Sequence, residues 1–255
     1  MPAATPTANR RGTLVVCADW EDTCREAARR FAAAAQACLD RQRQCAVALA
    51  GGSTPRRFYE LLASNEFRHR ISWPKMHFFW GDERRGARDH PESNYRMARE
   101  ALLAHLPVPA ENIHPMPVEL VAEEAARRYE ADLRFVLGSG RGVSRLDLLW
   151  LGLGADGHIA SLFPASPALN ETERLVAAVA PRAGPARLTL TLPMLNHTRL
   201  VFFLVRGAEK AMALRAALEE AGPLPVQRLQ PAGGELTWFV DPAAASQLSR
   251  VRVHA

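Results

Sequence analysis

Lysine is almost missing from this sequence. Of its 32 basic residues only two, Lys75 and Lys210, are lysines, which marks both positions for attention in an arginine-dominated chain. Cysteine is scarce too: Cys17, Cys24, Cys38 and Cys45 all fall near the start, with no C-x-x-C pair and no histidine between them. That spacing excludes the usual zinc signatures and leaves four small buried residues as the reading, Cys24 and Cys38 on a helix and Cys17 and Cys45 in strands. No apolar run has the length of a membrane span. The first twelve residues, "MPAATPTANRRG", are polar and small, without the apolar core of a secretory signal, and read as a disordered leader on a cytoplasmic protein. The formal charge is +5 and the pI about 9.4, yet the arginines are scattered and no basic run is interleaved with aromatics, so nucleic acid is not the expected partner. Also missing are a G-x-S-x-G nucleophile elbow, an H-E-x-x-H pair and a Walker loop. Neither a repeat nor a dividing linker interrupts the chain, so residues 13–255 are expected to form one domain.

What is present alternates. Apolar runs such as "TLVVCA", "CAVALA", "MHFFW", "LDLLWLGLG", "LVFFLV" and "LTWFV" are separated by helical patterns, including a long alanine-rich one from about Trp20 to Gln42. Others are expected after Thr54, from Ser93, through "EEAARRYEADLRFVL" and over about 208–221. Strands alternating with helices predict an α/β fold, a mostly parallel sheet with helices on both faces. Ligands of such sheets lie at the carboxyl ends of the strands. Four stretches stand there: Gly51–Pro55 "GGSTP", Gly81–Asn94 "GDERRGARDHPESN", Gly152–Pro164 "GLGADGHIASLFP" and Arg206–Ala211 "RGAEKA".

The first of these reads as a strand delivered into a helix, with Ser53 or Thr54 as cap and Pro55 in the first turn. Free amides at such a junction face outward with the positive end of the helix dipole behind them, and an anion, most simply a phosphate, is the expected guest. In the third, Gly152, Gly154 and Gly157 satisfy G-x-G-x-x-G, but Pro164 and Pro167 leave no room for the long helix that a dinucleotide site requires. The loop instead offers His158 as an acid/base group with Asp156 to raise its basicity or fix its tautomer. No cofactor and no metal is called for.

These motifs are similar to those of the 6-phosphogluconolactonases of the pentose phosphate pathway. The resemblance runs from about Leu14 to Ala245 through "LAGGSTPRRFYELLA", "HFFWGDER", "DHPESNYRMA", "GLGADGHIASLFP", "LTLTLPMLN", "FFLVRGAEKA" and "GELTWFVD". It implies a Rossmann-like fold shared with glucosamine-6-phosphate deaminases, and metal-free hydrolysis of 6-phosphoglucono-δ-lactone to 6-phosphogluconate by a monomer or homodimer. It places proton transfer on His158 with Asp156 beside it, a strand-end acidic and basic group on Asp82, Glu83 and Arg84, and phosphate binding on Arg187, Lys210 and the loop Gly51, Gly52, Ser53 and Thr54. Two alternatives stand beside it, a deaminase/isomerase acting on glucosamine 6-phosphate and a non-catalytic sugar-phosphate-binding module. The deaminase pattern D-G-H-I-A-F-N-E-P carries a glutamate where this chain has Phe163, and the short leader leaves no space for a helix-turn-helix. One departure from the lactonase pattern is Gly86-Ala87, where Val-Pro is common.

Overall fold

The computed structural model describes residues 11–138, 145–180, 184–232 and 234–249. In chain order the elements are β1 (Thr13–Val16), α1 (Trp20–Leu39), β2 (Cys45–Leu49), α2 (Arg56–Ala63), β3 (Met76–Trp80), β4 (Asp82–Arg84), α3 (Asn94–Ala101) and α4 (Ala122–Leu137). They continue with β5 (Leu148–Leu151), β6 (Val176–Val179), β7 (Arg187–Leu190), α5 (Leu192–Asn196), β8 (Leu200–Val205), α6 (Ala211–Glu219) and β9 (Glu235–Val240). Six strands form a wholly parallel sheet in the order β1-β9-β8-β5-β2-β3.

Both faces of this sheet are buried, which is why its strands read as unbroken apolar runs. Side chains alternate across it. Val47, Leu49, Phe78, Trp150 and Phe239 enter a core with α1, α2 and α3. Ala46, Ala48, Phe79, Leu149, Phe203 and Val240 enter the opposite core with α4, α6 and the smaller sheet. Each large side chain fully withdrawn from water stabilises the fold by about 1.5–3 kcal/mol. α1 begins where Asp19 accepts a bond from the Asp22 amide at 2.8 Å and ends at Leu39 with Asp40 as its cap, short of the expected Gln42. All four cysteines are free and buried, Cys45 at the head of β2 and Cys17 just past the end of β1.

The structure corrects the sequence reading in three places. β4, β7 and β6 form a separate antiparallel sheet, so "LVAAVA" and "RLTLTL" do not extend the parallel one. α2 starts at Arg56 with Pro55 as its cap residue, and neither Ser53 nor Thr54 caps it by side chain. A short helix at "LPMLN" was not expected. Of the expected leader, residues 1–10 lie outside the described residues. Arg11 and Gly12 join the body: the Arg11 guanidinium donates to the Glu220 carbonyl at 2.6 Å, and its own carbonyl accepts from the Trp238 indole at 2.8 Å. Among the described residues no helix is long and apolar enough to cross a membrane.

Candidate active site

The carboxyl ends of β2, β3, β5 and β8 open into one cleft of about 280 Å³. Three of the four strand-end stretches contribute side chains or amides close to the strand tips: Gly51, Gly52, Ser53 and Thr54 after β2, Asp82 and Arg84 after β3, and Arg206 and Lys210 after β8. The fourth, after β5, brings His158. Arg187 enters from the smaller sheet, at the start of β7.

His158 is set by its own loop. Its amide donates to Asp156 Oδ1 at 3.2 Å and its ring Nδ1 lies 2.5 Å from the same oxygen. Partial burial works to raise the Asp156 pKa, but the bonds from the His158 ring and amide outweigh it, and the carboxyl ends below its ordinary value. An ionised Asp156 accepts the Nδ1 proton and leaves Nε2 as the basic nitrogen. Asp156 itself is exposed and stands behind the histidine, outside the cleft wall. The ring also rests against Phe163, centroids 4.7 Å apart, and the Arg187 guanidinium carbon lies 5.7 Å from the other ring's centroid, so Phe163 spaces the histidine from the arginine. Gly154 is essential to this arrangement, because a Cβ there would collide with the imidazole. No helix follows Gly157, as the proline spacing predicts.

Asp82 is buried and held from three sides. It accepts from Ser161 Oγ at 2.5 Å, lies 3.6 Å from Arg187 Nη1, and takes a longer bond from Asn94 Nδ2 at 3.3 Å. Leu188 and Leu190 of β7 sit in the core while Arg187 and Thr189 face the other way, Thr189 Oγ1 accepting from the Ser161 amide at 3.1 Å. The alternation predicted for "RLTLTL" is therefore present. Arg84 lines the cleft and donates to the Glu92 carbonyl.

Glu83 is different from its neighbours. It is turned away from the cleft and accepts from the amides of Arg84, Asn94 and Tyr95 at 2.8, 2.9 and 2.7 Å, so it closes the start of α3. Burial raises its pKa against the pull of these three amides. Two cleft residues carried no sequence signal of their own. Asn94, the residue directly after the capping Ser93 of its helix, accepts from the Gly52 amide at 3.3 Å and donates to the Asp82 carbonyl at 2.8 Å, tying two cleft loops together. Arg206 opens the stretch "RGAEKA", where nothing in the sequence alone sets it apart from the chain's many other arginines. Gly86 has φ +157°, a conformation in which the valine of the common Val-Pro pattern would be strained.

An open parallel sheet with a cationic, histidine-bearing cleft at its strand ends defines a class of α/β enzymes that handle small anionic substrates. Residues 18–238 match the family described as glucosamine-6-phosphate isomerases/6-phosphogluconolactonase. The chain belongs to that family. It is 46% identical to the 6-phosphogluconolactonase of Synechocystis over 211 residues, 80% of this chain and 85% of the relative. A solved 6-phosphogluconolactonase from Trypanosoma brucei superposes with a TM-score of 0.83 at 29% identity, covering 93% of this chain and 99% of that one. A monomeric glucosamine-6-phosphate deaminase shares the fold, with a TM-score of 0.78 at 22% identity over 92% of this chain and 99% of the other.

Proposed function

We propose that this protein hydrolyses 6-phospho-D-glucono-1,5-lactone to 6-phosphogluconate in the oxidative pentose phosphate pathway, residues 13–255 acting as one catalytic domain. The observation that carries the mechanism is the His158–Asp156 pair at the cleft. His158 Nε2 takes a proton from water as the water oxygen attacks the lactone carbonyl carbon. The tetrahedral oxyanion then collapses, the bond from that carbon to the ring oxygen breaks, and His158 returns the proton to the departing oxygen. Water and lactone are the whole stoichiometry, and a δ-lactone is reactive enough to need no covalent nucleophile. Arg84 is positioned on the cleft wall to steady the oxyanion.

The phosphate is assigned to Lys210, Arg187 and the Gly51–Thr54 loop. Those residues line the same cleft as His158, which supports a substrate with a phosphate at one end and an acyl carbon at the other. Phe163 beside His158 favours hydrolysis over aldose–ketose proton shuttling, which uses a carboxylate at that position. Four free thiols fit a reducing compartment, and the cytoplasm is the proposed location, with the chain working as a monomer or homodimer.

The test is acid release from freshly prepared lactone at slightly acidic pH, where spontaneous opening is slow. His158→Ala is expected to fold and to lose about 10²–10⁴ in kcat. Arg187→Ala and Lys210→Ala are expected to raise KM about 10- to 100-fold for the phosphorylated lactone and to spare unphosphorylated glucono-δ-lactone. Wild-type protein that does not exceed the spontaneous rate would end this reading.

A further inference from the structure

Four cations line the cleft, and they are not equally engaged. Arg187 is paired with Asp82, and Arg84, which donates to the Glu92 carbonyl, is assigned to the oxyanion. Lys210 and Arg206 remain, and among the described residues neither has a carboxylate within ion-pair distance. Arg206 is the first residue beyond β8 and is exposed. Its guanidinium carbon lies 5.1 Å from the centroid of the Trp20 ring at the start of α1. The chain leaving Arg206 is fixed, because the next amide, that of Gly207, donates to both carboxylate oxygens of Asp241 at 3.0 and 3.2 Å. Backbone anchoring on one side and an aromatic face on the other hold a guanidinium at the cleft mouth without neutralising it.

We propose that Arg206 is a further phosphate-binding residue, paired with Lys210 and pre-positioned by Trp20. This rests on the proposed function, since it takes the substrate to be a phosphate monoester. Near neutral pH such a group carries close to two negative charges. Lys210 and Arg206 match that charge between them, whereas Arg187 brings its charge already shared with Asp82. The planar guanidinium adds two parallel N–H donors for two phosphate oxygens, a geometry an ammonium cannot supply. Trp20 acts through Arg206 as a positioning residue. A cation over an indole face is held weakly enough to be released to an anion and firmly enough to reduce the ordering needed when substrate arrives.

The experiment compares wild type, Arg206→Ala, Arg206→Lys, Trp20→Leu and Trp20→Phe on phosphorylated and unphosphorylated gluconolactone. Arg206→Ala is expected to raise KM for the phosphorylated substrate about 10- to 100-fold with kcat changed by less than about threefold, and Arg206→Lys to recover part of the loss. Trp20→Leu is expected to raise the same KM a few-fold, and Trp20→Phe, which keeps an aromatic face, to restore it. The unphosphorylated lactone should respond to none of them. An unchanged KM in Arg206→Ala, or equal losses on both substrates, would overturn the assignment. Trp20→Phe behaving like Trp20→Leu would remove Trp20 from it. Binding of inorganic phosphate by calorimetry keeps the two readings apart. Wild type that fails to turn over the lactone ends the proposed function alone, while phosphate bound equally by wild type and Arg206→Ala ends the role of Arg206.

Discussion

His158 can work only while its ring lies against the bare backbone of Gly154. A single methyl at that position would overlap the imidazole, and the ring is already bounded by Asp156 on one edge and Phe163 on its face. The ring would have to swing, and a reacting group displaced by about 1 Å can cost about 10²-fold in rate. Gly154→Ala is therefore expected to lower kcat by about that factor while leaving the far-UV circular dichroism spectrum intact. A variant with wild-type kcat would show that the histidine does not need this contact. The loss should be smaller than that of His158→Ala at the upper end of its range, because a displaced imidazole is still present in the cleft.

At the scale of elements, Glu83 joins β4 to α3 by accepting the Asn94 and Tyr95 amides, which the helix start would otherwise leave unpaired, together with the Arg84 amide of its own strand. Its carboxyl is harder to ionise in the folded chain than in the unfolded one, chiefly because it is buried. Such a group favours folding while it is protonated. Its contribution is complete below the ordinary value of 4.5 and is lost as the pH rises through the higher folded value. Glu83→Gln does not titrate, so the stability of wild type relative to this variant should decline in urea melts as the pH rises above 4.5. A difference that stays flat or grows over that range would contradict the assignment. The same corner of the molecule marks the limit of what the sequence discloses. Unbroken apolar runs and an alanine-rich amphipathic stretch made the parallel strands and α1 legible, since burial on two faces and on one stripe leave distinct patterns. β4 is three charged residues, "DER", and becomes a strand only because β7 lies beside it. Alternation in "RLTLTL" is itself the mark of an antiparallel strand, and it was present to be read that way. Side-chain roles fared similarly: His158 and Asp156 announce themselves by local spacing, whereas Asn94 and Glu83 acquire theirs from which loops meet. Nothing in "DER" tells which of its two carboxylates faces the cleft.

Across the whole molecule, the cleft and the Cys38–Cys45 pair lie at opposite ends of the sheet, while Cys17 and Cys24 stand near the carboxyl end of β1. Cys38, Cys45 and Asp147 are the one group of three possible metal ligands found among the described residues, and Cys45 and Asp147 stand at the amino ends of β2 and β5, away from His158. A metal seated there would not reach the lactone carbonyl, so EDTA is expected to leave the hydrolysis rate unchanged; loss of activity restored by zinc or magnesium would refute that expectation. All four cysteines are buried, and Cys17, Cys24 and Cys45 are shielded a second time by their chemistry. They range from 0% to 6% exposed; burial pushes the Cys24 thiol up to about 12 and lifts that of Cys17, while the neighbouring Cys38 thiol, and burial after it, lifts that of Cys45. A disulfide reagent needs both access and thiolate. Cys17, Cys24 and Cys45 offer it neither and Cys38 offers no access, so uptake of such a reagent runs at the pace at which their shared core opens, and the native sequence carries its own clock for breathing of β1, α1 and β2.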